Sequence, residues 1–160
     1  VGSEMCIRDS FWCQQLIAES LGKKNKGFLP VISTMPKDHH SLLQLYLDGP
    51  RDKLFHIFSV EEKLKEKINI SKTIDKDNFL NKKTLISVKI AQKKALIKSL
   101  KNKNIPFREF KIKSINEEVL GKLFTYFMLE TVLIGKLINI DPYNQPAVEQ
   151  VKIFTKKILS

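Results

Sequence analysis

Residues 114–142 constrain this chain more than any other stretch. Ser114 and Glu117 stand in capping-box spacing, a strongly apolar run extends from Leu123 to Ile140, and Asp141-Pro142 breaks it. The pattern predicts a long, largely buried helix reaching about Ile138. The run is a poor membrane span, because Glu130 and Lys136 interrupt it and Thr125, Thr131, Gly135 and Asn139 lie inside it.

The flanking sequence supplies the other elements. Ser10 is positioned to cap a helix carrying Phe11, Leu16 and Ile17 that stops at Gly22. Lys23 to Gly27 reads as a loop, and Phe28 to Ile32 as a short buried strand whose ladder Pro30 limits. After a loop from Ser33 to His39, a helix from His40 to Leu47 ends at Gly49-Pro50. Leu54 to Val60 is the best strand candidate, and the charged stretch 61–81 reads as exposed. A lysine-faced helix occupies Lys82 to Lys103, and alternation from Phe107 to Lys113 predicts a half-buried strand. Pro146, whose missing N–H costs little in a first turn, opens a final helix. The fold class is α/β, with about three strands among five helices. Residues 1–10 show no periodicity continuous with the helix from Phe11 and read as a leader foreign to the domain of residues 11–160.

The chain has 160 residues and a formal net charge of +11. That charge invites a nucleic-acid reading, but its make-up argues against one. Only Arg8, Arg51 and Arg108 are arginine; the other 25 basic residues are lysine. Base readout leans on bidentate arginine, and single-strand binding on aromatics among the cations. The densest basic stretch, Lys82 to Lys103, has no aromatic residue and reads as a solvated helix face. Two cysteines make no disulfide framework, and three histidines without CxxC spacing make no zinc site. GxGxxG, P-loop and GxSxG motifs are all absent, so nucleotide and serine-hydrolase readings have nothing to stand on. Neither a cofactor nor a metal is expected. Nothing near the N-terminus shows a basic flank before an apolar core, and a cytoplasmic setting is expected.

Three groups stand out on physical grounds. Glu19 falls at the negative end of the first helix, where a carboxylate is disfavoured and its pKa can rise. That suits a general base, although an ordinary exposed glutamate fits the same pattern. His39 and His40 precede an apolar helix, where a histidine also serves capping or packing, and His56 reads as a core residue of its strand. On the last helix Val148, Val151, Thr155, Ile158 and Leu159 form one stripe with Lys152 at its edge, so Lys152 either snorkels outward or enters a cleft. Gln145 precedes that helix, a place suited to polar or anionic ligands.

Three stretches then combine: Glu19-Ser20-Leu21-Gly22-Lys23; Asp38-His39-His40-Ser41 with Gln44-Leu45-Tyr46 and Asp48-Gly49; and Tyr143-Asn144-Gln145-Pro146-Ala147-Val148-Glu149 with Lys152. In this order they resemble the C-terminal portion of the glucose-6-phosphate isomerase family. The last resembles that family's signature, departing from it at Asn144 for Asp and Ala147 for Gly, and Glu130-Thr131-Val132-Leu133-Ile134-Gly135 is similar as well. The resemblance implies a sugar-isomerase (SIS-type) three-layer α/β/α sandwich, of which this chain would supply the latter part of the second subdomain and the C-terminal helices.

It also implies roles. Glu19 matches the base that moves a proton between C1 and C2 through a cis-enediol. His40 and Lys152 match the residues assisting ring opening, and Gln145 a substrate-contacting glutamine. A sugar phosphate would be the small-molecule partner, and a homodimer the assembly, with no nucleic acid and no membrane. The family's Ser/Thr phosphate loop and Gly-Gly-Arg segment do not occur in these 160 residues, so the chain is expected to be a piece without activity alone. A non-catalytic sugar-phosphate-binding module and a basic nucleic-acid-binding domain are the competing classes.

Overall fold

The computed structural model describes residues 4–61, 80 and 83–160. Along the chain run α1 (Glu4–Leu21), α2 (Asp38–Ser41), α3 (Leu43–Asp48), β1 (Phe55–Val60), α4 (Leu85–Asn102), β2 (Phe107–Ile112), α5 (Glu117–Leu137) and α6 (Pro146–Leu159). They fall into two units: Thr34–Ile115, and Gly2–Ser33 with Asn116–Ser160.

In the unit Thr34–Ile115, β1 and β2 pair in parallel, with Phe55 opposite Phe107 and Val60 opposite Ile112. Parallel neighbours need a crossover, and α4 lies within it. Phe58 and Phe110 are register partners whose rings stack with centroids 4.8 Å apart. His56 sets its ring edge toward Phe110 at 5.7 Å, as befits a packing residue. Thr84 caps α4 by accepting from the Ser87 N–H, which fixes the start of the lysine-faced helix at Leu85, three residues later than Lys82. Lys93, on α4, reaches the sheet and pairs with Glu109 at 3.1 Å. Leu100, Ile105 and Ile112 are buried in this unit.

In the other unit, α1 packs on α5. Trp12 meets Phe124 at 4.5 Å, and Ile17, Leu21, Phe127, Thr131 and Ile140 are buried. Cys13 lies in this packing; burial, with the charge of Glu130 adding, pushes its thiol up to about 11.

The α/β class holds, but several sequence expectations do not. Phe28 to Ile32 forms no strand: Pro30 lacks an N–H, and its carbonyl is taken by the Gln14 amide of α1 at 2.5 Å. The described residues therefore contain two strands. Helix α1 begins at Glu4 and passes through Ser10, which is no cap. The helix expected from His40 to Leu47 is two short pieces, α2 and α3, with Leu42 between them. Asn116, rather than Ser114, caps α5 by accepting from the Val119 N–H at 2.9 Å, which leaves Glu117 and Glu118 at the favourable positive end. Helix α5 buries one face only; Leu129, Leu133 and Leu137 stay exposed. The reading of 61–81 as an exposed stretch falls almost wholly outside the described residues. No described helix is long and apolar enough to cross a membrane.

Candidate functional site

The loop between α5 and α6 is folded back onto α5 by its own chemistry. Gly135 leaves room for it: a Cβ there would meet the Ile140 carbonyl at 3.2 Å and Pro142 at 3.4 Å. Asn139 takes φ 57°, and the Ile140 N–H then donates to the Gly135 carbonyl at 2.8 Å, a left-handed helix ending that asparagine tolerates. Asp141 organises the next turn, accepting from the Tyr143 N–H at 2.9 Å and from the Asn144 amide at 2.8 Å. The Asn at 144 thus has a use that an Asp could not serve, because only an amide donates. Two lysines past the end of α1 bind this loop: Lys23 donates to the Asp141 carbonyl at 2.6 Å and Lys26 to the Ile138 carbonyl at 2.8 Å.

These contacts bring Gln145 to Glu19. The Gln145 amide donates to Glu19 Oε2 at 2.9 Å, and the Gln15 amide, one helical turn before Glu19, donates to Oε1 at 3.1 Å. Gln145 stands at the N-cap of α6 but makes no side-chain cap there; its Nε2 instead donates to Glu19. The result is an exposed carboxylate with one amide donor on each oxygen. Such a group is held in orientation yet open to a ligand. Gln15 was missed by sequence reasoning; its i, i+4 spacing to Glu19 on one helix was the available signal.

Lys152 is not brought to Glu19 by any hydrogen bond or ion pair. Its ammonium pairs with Glu149 at 2.6 Å, with side chains 66% and 61% exposed. The stripe from Val148 to Leu159 is not packed, since α6 has no buried residue. Of the two alternatives for Lys152, the outward one is realised.

His40 belongs to the other unit, on α2. Asp38 builds that turn, accepting from the Thr34 N–H at 2.6 Å and the Ser41 hydroxyl at 3.2 Å, while its carbonyl takes the Leu42 N–H at 3.0 Å. His40 is exposed, whereas His39 is partly buried with its Nε2 shut away from solvent and unpaired. Burial, with the neighbouring His40 adding, holds the His39 imidazole below its ordinary range. Among the described residues no group of His, Cys, Asp and Glu could hold a metal ion.

No protein-family model matches the chain. It is 39% identical over 143 residues to a glucose-6-phosphate isomerase of Methanocaldococcus jannaschii, an alignment covering 88% of this chain and 35% of the relative. It is 35% identical over 149 residues to a probable glucose-6-phosphate isomerase of Methanococcus maripaludis, covering 93% of this chain and 33% of that protein. A solved hypothetical protein from Thermus thermophilus superposes with a TM-score of 0.84 at 28% identity, over 99% of this chain and 40% of that one. The chain thus spans about a third of the length of the curated relatives it matches. By these likenesses it belongs to the glucose-6-phosphate isomerase family.

Proposed function

We propose that this chain carries proton-transfer residues of an aldose–ketose isomerase that interconverts glucose 6-phosphate and fructose 6-phosphate in glycolysis and gluconeogenesis. The observation that supports the reading most is the Glu19 carboxylate held between the Gln145 and Gln15 amides. Moving a proton between adjacent carbons through an enediol needs one carboxylate that reaches both carbons from the same face. Glu19 takes the proton from C2 of the open-chain aldose and returns it to C1 of the cis-enediol. Fixing the carboxylate beforehand removes the cost of orienting it at each turnover.

His40 and Lys152 serve the earlier step, carrying a proton between the C1 hydroxyl and the ring oxygen. Lys152 also adds charge complementarity to an anionic substrate, and Gln145 contacts the substrate as well as Glu19. The two parallel strands are then part of a larger sheet in a three-layer sugar-isomerase sandwich, in a cytoplasmic homodimer.

A coupled assay tests this. The 160-residue chain alone is expected to show no appreciable turnover. Grafted into the M. jannaschii relative in place of the segment it aligns with, it is expected to support isomerisation, and Glu19→Gln in that graft should lower the rate by about 10²–10⁴-fold. Near-normal turnover of the variant removes Glu19 from the mechanism. Sugar-phosphate binding by an inactive graft favours the non-catalytic module instead.

A further inference from the structure

A second charged corner lies where the chain enters the two strands. Residues 50–53 lead into β1 and residues 103–106 into β2, joined by the Phe55 N–H donating to the Pro106 carbonyl at 3.0 Å. Between them is a cleft of about 370 Å³, whose lining includes Tyr46, Pro50, Arg51, Lys53, Lys103 and Pro106. It contains none of Glu19, His40, Gln145 and Lys152, so it stands apart from the isomerase reading.

The charges at this corner do not balance. Lys103 pairs with Asp48 at 3.0 Å and Lys53 with Asp52 at 2.5 Å, Lys53 also donating to the Pro50 carbonyl at 2.8 Å. Arg51 donates one guanidinium nitrogen, Nη1, to the Lys103 carbonyl at 2.8 Å and makes no ion pair among the described residues. Three cations therefore share two carboxylates: the charge of Arg51 acts on Asp48 alongside Lys103, but Arg51, one of the chain's three arginines, is not in direct contact with either carboxylate. A guanidinium anchored through one nitrogen keeps the rest of its planar fork for an anion, and that fork matches phosphate oxygens. The cleft also has an apolar part to its lining. Tyr46 is held edge-on against Phe55 at 5.1 Å, and Pro50 and Pro106 line the cleft beside it.

The geometry points to a binding site for a small organic phosphate ester, its phosphate on Arg51 with Lys53 and Lys103 near, its organic part against Tyr46 and the prolines. The volume is that of a small-molecule cleft.

Calorimetric titration of the 160-residue chain at fixed ionic strength, with phenyl phosphate and with inorganic phosphate, tests it. Phenyl phosphate should bind roughly tenfold tighter than inorganic phosphate, and Arg51→Gln, which keeps a donor for the Lys103 carbonyl, should weaken phenyl phosphate roughly tenfold with an unchanged melting temperature. Arg51→Lys should retain part of the affinity, and Tyr46→Leu should weaken phenyl phosphate alone. Three results overturn the proposal: equal affinity for the two anions, binding that survives Arg51→Gln, or an equal loss in the exposed control Lys98→Gln, which would make the attraction a diffuse effect of the +11 charge. Loss on Lys152→Gln alone overturns it too, and moves the anion to the proposed isomerase residues.

Discussion

The Glu19 corner and the Arg51 corner use the same long cations in opposite ways. Around Glu19, Lys23 and Lys26 are committed to main-chain carbonyls at the end of α5, and the carboxylate is left to two neutral amides. Around Arg51, both lysines pair with carboxylates, Lys53 also reaching the Pro50 carbonyl, while the guanidinium is held by a carbonyl and by no carboxylate contact. One corner thus presents an oriented anion, the other a guanidinium anchored through one nitrogen. Net charge says nothing about which is which; the distribution of carbonyl partners does. A lysine-rich composition is compatible with an oriented, unpaired carboxylate here because the nearby Lys23 and Lys26 are taken up by the Asp141 and Ile138 carbonyls.

That contrast can be broken by removing the support of one corner at a time. Leu21 and Leu100 are fully buried, one in each unit. Leu21→Ala and Leu100→Ala should each cost about 2–5 kcal/mol in denaturant unfolding, the usual range for a buried leucine. Amide exchange should rise around α1 and α5 in the first variant and around α4 and β2 in the second. Uniform loss of protection in both would show that the corners are not separately supported.

A smaller effect is expected at Gly135. The Cβ of Gly135→Ala meets a main-chain oxygen and the Pro142 ring, neither of which yields easily, so the cost should be about 1–3 kcal/mol. The loop bearing Asp141 should shift with it, loosening the Gln145 contact to Glu19. A crystal structure of the variant with that contact intact would show that Gly135 is not what seats the loop.

Smaller still are the titration effects. Because burial and Glu130 raise the Cys13 thiol to about 11, iodoacetamide should label Cys13 slowly near neutral pH and faster as pH rises, read by peptide mass spectrometry. His39 is shifted the other way, from 6.5 downward. A depressed histidine disfavours protonation of the folded state, so its contribution to stability is complete above pH 6.5 and is lost as pH falls through the folded value. An NMR titration of His39 with a midpoint at or above 6.5 would contradict this.

The sequence made some of this legible and hid the rest for physical reasons. Helices with strong periodicity or a clear breaker, such as α4 and the start of α6 at Pro146, were readable within a few residues. Caps were less so: Ser114 and Asn116 are equally good acceptors, and only the backbone decides between them. Phe28 to Ile32 has strand composition but no described neighbour to pair with, and pairing is not a local property. Glu19 was visible as a carboxylate at a helix end. Its contact with Gln145 was not, since that residue lies 126 residues away and arrives through a turn built by Asp141 and two lysines.

The most direct test of the central claim is solvent exchange at the reacting carbons. In the graft carrying this chain, incubation of fructose 6-phosphate in deuterated water should place deuterium at the exchangeable carbon, followed by NMR. With Glu19→Gln that exchange should fall by about 10²–10⁴-fold, the usual worth of a positioned general base, while sugar-phosphate binding is retained. Exchange at the parent rate in the variant would contradict the account, whatever the overall turnover.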